Sequence, residues 1–94
     1  MNPGIIKGGL YAEKLRDGPG YMITKVLAVD FAVHLRIYAE DFAELPKELS
    51  SAQLTVAVGH APMSAEGWPG ERILVGVEPV TPGELEGYRL YMGG

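Results

Sequence analysis

The segment from Tyr21 to Phe42 constrains this chain more than any other. Two runs rich in β-branched and aromatic residues, Tyr21 to Val29 and Val33 to Ala39, flank Asp30-Phe31-Ala32. That pattern predicts a long β-hairpin with a three-residue loop. Strand side chains alternate between faces, so Val33, Leu35 and Ile37 lie on one face and His34, Arg36 and Tyr38 on the other. The loop length places Val29 opposite Val33, Leu27 opposite Leu35, Val26 opposite Arg36 and Thr24 opposite Tyr38. A slip of one residue would mix the two faces, which disfavours it.

The rest of the chain supplies further short strands. Leu10 to Leu15 is a candidate first strand, turned by Asp17-Gly18-Pro19-Gly20. Pro19 presets φ and Gly20 accepts a positive φ, the chemistry of a type II turn. Residues 1–9 read as a loose arm or a short edge strand. Residues 40–51 form a connector in which Pro46 interrupts partial helical spacing, so a turn or short helix is expected there. Leu54 to Val58 and Glu71 to Val80 read as the fourth and fifth strands, joined by a long loop from Gly59 to Gly70. The period then changes. Thr81-Pro82-Gly83-Glu84 is a capping-box signature with proline at the first helical position. Leu85, Tyr88 and Met92 follow at helical spacing, which predicts a short helix over 81–92. The expected fold is mainly β: five or six short antiparallel strands in a small SH3-like barrel or bent sheet. The C-terminal helix would plug one end or cover one face.

Composition narrows the function classes. Ninety-four residues make a single domain over 1–94, and there is no cysteine for a disulfide or a thiolate site. The formal net charge is −4 and no dense Lys/Arg patch occurs, which argues against nucleic acid as a partner. No apolar run reaches the length of a membrane span and no secretory signal opens the chain, so a cytoplasmic location is the simplest reading. Asn and Gln occur once each, a bias that fits either a thermophile or a GC-rich genome.

Candidate chemistry is sparse. His34, Arg36 and Tyr38 could form a recognition face: arginine for a carboxylate or phosphate, tyrosine for stacking, histidine as a switchable donor. The same face could equally be solvated, as antiparallel sheets allow, or covered by the terminal helix. In the Gly59–Gly70 loop, His60 and Ser64 resemble a base and nucleophile, but no orienting carboxylate is visible in the sequence. Met63 and Trp68 are residue types enriched at protein contacts. Trp68 could otherwise simply pack over the core edge. His34 and His60 are the only histidines, and they could meet Asp30 or Asp41 only through tertiary contact. No metal-ligand spacing and no phosphate-binding loop is present, so no metal and no cofactor is expected.

Three segments, Lys25-Val-Leu-Ala-Val-Asp30 with Ala32-Val-His-Leu-Arg-Ile-Tyr38, then Gly59-His-Ala-Pro-Met-Ser64, then Pro79-Val-Thr-Pro-Gly-Glu-Leu-Glu-Gly-Tyr88, carry a resemblance. Across residues 20–90 the chain resembles small bacterial β-rich proteins of about this length, to which no activity is attached. The resemblance implies a complete stand-alone protein and adds nothing on mechanism. The expected function is a non-enzymatic protein-binding or assembly module that self-associates, most simply as a homodimer, through the mixed face and the Trp68 loop. Such small domains leave much apolar surface uncovered. The alternative is a small-molecule-binding protein or minor hydrolase using His34, Arg36 and His60.

Overall fold

The computed structural model describes residues 5–15, 17–47, 49–64 and 72–93. Five strands form one antiparallel sheet: β1 (Gly9–Lys14), β2 (Tyr21–Val29), β3 (Val33–Phe42), β4 (Val56–Met63) and β5 (Arg72–Val77). Their order across the sheet is β4-β3-β2-β1-β5. Among the described residues, one 3₁₀ turn, Ser51–Gln53, precedes β4, and a six-residue helix α1 (Glu86–Tyr91) follows β5.

The mainly β fold with a short terminal helix is as expected, but the sheet does not close into a barrel. β4 and β5 lie at opposite edges. A barrel encloses one interior, whereas this sheet has an apolar cluster on each side. Tyr11, Val26, Val33 and Leu35 form one, with Ile5 and Met63 against it. Leu10, Ala12, Ile23 and Tyr38 form the other, with Val75 and the connector residues Leu49 and Leu54 against it. Covered on both sides, the sheet has no need to curl around a single core. The same fact explains why five consecutive residues, Ile23 to Leu27, are all buried. A strand buried on both faces loses its alternation of apolar and polar positions.

The turns follow their sequence signals. Gly20 adopts φ 110°, and Leu15 N–H bonds to its carbonyl at 3.0 Å. Val29 pairs with Val33 across Asp30-Phe31-Ala32. Beyond that end the register departs from expectation. β2 carries an extra residue at Leu27, a bulge, so Val26 rather than Leu27 faces Leu35. Lys25 then faces Arg36, and Thr24 faces Ile37 instead of Tyr38.

Three further expectations are corrected. β4 runs to Met63, so residues 59–63 belong to a strand and not to the long loop; pairing of Val33 with Met63 and Leu35 with Ala61 carries them. Of the turn or short helix expected near Pro46, the described residues of the connector show bends only, and the one helical turn comes later, at Ser51–Gln53. The capping box closes as expected, with Thr81 N–H on Glu84 and Glu84 N–H on the Thr81 hydroxyl. It caps a turn over 82–85, however, and α1 starts only at Glu86. The helix covers a sheet face, and Met92 stays exposed instead of packing beneath it. Residues 5–9 form a turn in which Gly8 N–H bonds to Val26 and the Gly8 carbonyl accepts from Glu78 N–H.

The buried side of β3 gives a direct test. Leu35→Ala is expected to destabilise the fold by about 2–5 kcal/mol, the range for a fully buried leucine. Truncating the exposed Val58 of β4 to alanine should cost under about 1 kcal/mol. Urea denaturation midpoints of the two variants check this difference.

Candidate functional site

The hairpin turn builds the first polar centre. Asp30 Oδ1 accepts from Ala32 N–H at 3.1 Å, which fixes the loop, and lies 2.8 Å from His34 Nε2 one strand position inward. His34 faces Pro62 across β3 and β4, so His60, two residues away, projects from the same face as its diagonal neighbour. His34 Nδ1 lies 2.8 Å from His60 Nε2. The result is a continuous Asp30–His34–His60 chain. Tyr88 of α1 donates its hydroxyl to Asp30 Oδ2 at 2.8 Å. Rings close around the pair: Tyr88 meets His34 edge-on at 4.6 Å, and Tyr91 lies 5.1 Å from His60. Gly87 lets the helix approach, because a Cβ there would stand 2.9 Å from His60 Cβ.

The proton positions follow from the donor chemistry. Burial pushes the Asp30 carboxyl up, but bonds from Tyr88, Ala32 N–H and His34 together hold it below its ordinary value. An ionised carboxylate only accepts, so His34 Nε2 carries a proton toward it. With both imidazoles neutral, His60 Nε2–H donates to His34 Nδ1, and His60 Nδ1 is the free base of the chain. Burial, and then the repulsion that a proton on each of two adjacent imidazoles would bring, holds the His60 pKa below its ordinary value.

The second centre surrounds Lys25. Its side chain shares a sheet face with Ile23 and is 2% exposed. An ammonium taken out of water must be paired, and all three of its protons are engaged. Nζ lies 2.9 Å from Glu84 Oε2, 3.3 Å from Glu78 Oε1 and 3.0 Å from the Pro79 carbonyl. Glu78 also accepts from the backbone N–H and hydroxyl of Ser51. Burial raises both carboxyls, but these bonds and the Lys25 charge hold them below the ordinary carboxylate value. A cavity of about 490 Å³ opens beside this cluster, lined by Lys25, Ser50, Ser51, Glu78, Thr81 and Glu84 among others.

The residues singled out in the sequence do not form one surface. His34 and His60 meet, and Arg36 reaches the Gly59 carbonyl at 3.5 Å. His34 and Tyr38 are buried, so their face is covered and not a solvated strip. Met63 packs on the opposite side, against Val33 and Leu35. Trp68 lies outside the described residues. Ser64 is exposed and follows the end of β4. Among the described residues no group of three or more His, Cys, Asp and Glu could hold a metal ion. Both nitrogens of His34 are already committed to protein partners. Sequence reasoning missed Lys25, Glu78 and Glu84. The available signal was a lone lysine between Ile23 and Leu27 on a face expected to be apolar. Comparison of the chain with protein-family models, with curated proteins and with solved structures found no match.

Two predictions follow from these centres. Lys25→Met removes the buried cation and leaves two partly buried carboxylates without it, which should cost about 3–5 kcal/mol. Adding Glu78→Gln and Glu84→Gln to it should recover part of that loss in a thermal melt. Stability should also fall on acidification. The folded state disfavours protonated His60, so below about its ordinary value of 6.5 the unfolded chain binds more protons. Asp30 adds a second loss as pH drops through its folded value, below 3.8. Melting temperatures between pH 8 and pH 3 check both steps, and His60→Gln should shrink the first.

Proposed function

We propose that the chain is a non-enzymatic assembly module that associates with a second copy of itself through the edge strand β5. The observation that carries this reading is the open sheet. Among the described residues, neither β4 nor β5 has a neighbour on its outer side, and both expose apolar side chains. These are Val56 and Val58 on β4, and Ile73, Leu74 and Val77 on β5. An unpaired strand edge presents a row of backbone donors and acceptors, which a symmetric copy satisfies. Proline blunts such an edge because it lacks an N–H. β4 contains Pro62, whereas β5 contains no proline and a single charge, Arg72. That contrast favours β5. Pairing about a twofold axis would extend the sheet through both copies. The net charge of −4 opposes association but is screened within about 10 Å at moderate salt.

Light scattering at micromolar concentration tests this. The expected mass is that of a dimer. Ile73→Lys with Val77→Lys should give a folded monomer, since charge at an edge opposes pairing. A monomer for the unmodified chain at high micromolar concentration overturns the proposal.

A second reading, a small-molecule-binding protein or minor hydrolase, is favoured by one observation: the Asp30–His34–His60 chain leaves His60 Nδ1 as a base backed by a carboxylate. Arg36, beside Gly59, would supply the positive charge for an anionic ligand group. Hydrolysis of p-nitrophenyl acetate above the rate of free imidazole, and loss of that excess in His60→Gln, would support it.

A further inference from the structure

We infer that the cavity beside Lys25 is a binding site for a small organic cation, a primary ammonium on a short apolar body. The cavity is a wide-open cleft of about 490 Å³, room enough for a small ligand seated against its wall. The chemistry of its wall sets the sign of the ligand. Two carboxylates, Glu78 and Glu84, stand against one ammonium, so the site carries one net negative charge. Lys25 has no donor to spare, because its protons go to Glu84, Glu78 and the Pro79 carbonyl. An anion entering here would meet two carboxylates and no available cation. An ammonium would find acceptors: Glu84 Oε2 and Glu78 Oε2 each take one bond, from Lys25 and from Ser51 N–H, and keep a second lone pair, whereas the two Oε1 atoms are already filled; Ser50 and Thr81 add hydroxyls to the same wall. Ala52 and Pro79 supply apolar lining for the body of the ligand.

A second observation points the same way. Tyr38 is 3% exposed, and its hydroxyl has no hydrogen-bond partner among the described residues. It does not itself line the cavity but lies behind Ser51, which does, and within electrostatic reach of Lys25 and Glu84. The Ser51 hydroxyl, whose proton goes to Glu78, is the polar group nearest to it and could only accept, which leaves the phenol oxygen without a donor. Buried hydroxyls are rarely left without a partner. A ligand N–H reaching past Ser51 would complete this one.

The test is an amide NMR titration of the full chain at constant ionic strength, with n-butylammonium as probe and butyrate as its charge-reversed control. So small a ligand should bind with a dissociation constant on the order of 1 mM. Saturable shifts at Ser51, Ala52 and Thr81 with n-butylammonium alone support the assignment. Glu84→Gln neutralises the site and should weaken binding about tenfold, the loss expected for one charge-assisted bond. Should that variant fail to fold, Ala52→Trp serves instead: it leaves every charged group in place, narrows the mouth and should abolish the shifts. Equal shifts with butyrate, shifts that never saturate, or full binding by Ala52→Trp would each overturn the inference.

Discussion

A buried ammonium organises this fold. Lys25 sits in the middle of the central strand β2, with Arg36 directly across on β3. Two like charges facing each other on one sheet face are unfavourable, and burial of one of them makes the conflict worse. Neither strand can resolve it. The counter-charges come from residues 78–84, far along the chain, which must cross the sheet to bring Glu78, the Pro79 carbonyl and Glu84 to Nζ. Glu78 in turn holds the Ser51 turn. A single lysine therefore dictates where the chain after β5 runs, where the 3₁₀ turn before β4 rests, and hence where α1 can land.

The landing place of α1 has its own logic. His34 and His60 project from the same face as Lys25, and an uncovered imidazole pair there would be solvated. Once residues 78–84 are anchored, the next turn of chain lies over the histidines. Gly87 permits the close approach, Tyr88 bonds to Asp30, and Tyr91 lies against His60. The polar chain of Asp30, His34 and His60 is thus satisfied internally. Its outer member remains able to exchange a proton with its surroundings.

How much of this was legible in the sequence can be traced residue by residue. The β2–β3 hairpin, its loop and the Val29–Val33 pair were readable, because local turn chemistry and alternation agree there. The bulge at Leu27 was not, since it is decided by packing on both sheet faces and leaves no local signature. The pairing of His34 with His60 was hidden by one misreading: Gly59 and Pro62 resemble loop residues, yet an edge strand tolerates both. The capping box at Thr81 was read correctly as chemistry but placed one turn too early as a helix start. Glu84 serves Thr81 and Lys25 together, so the segment obeys a tertiary demand before a helical one. The open sheet was beyond reach, because short strands with turn signals read alike whether or not their edges meet.

The segment from Glu78 to Tyr91 is held at two places, at Lys25 through Glu78 and Glu84 and at the histidines through Tyr88 and Tyr91. Only a few residues separate the two holds. Release of one leaves the other acting as a tether, and the freed half stays at high effective concentration over its own docking surface. The holds are also unequal: the lysine end is shielded from water, while Leu90 at the other end is 76% exposed. Local opening of this strap would thus cost less at the tyrosine hold than at the lysine hold, and either costs less than global unfolding.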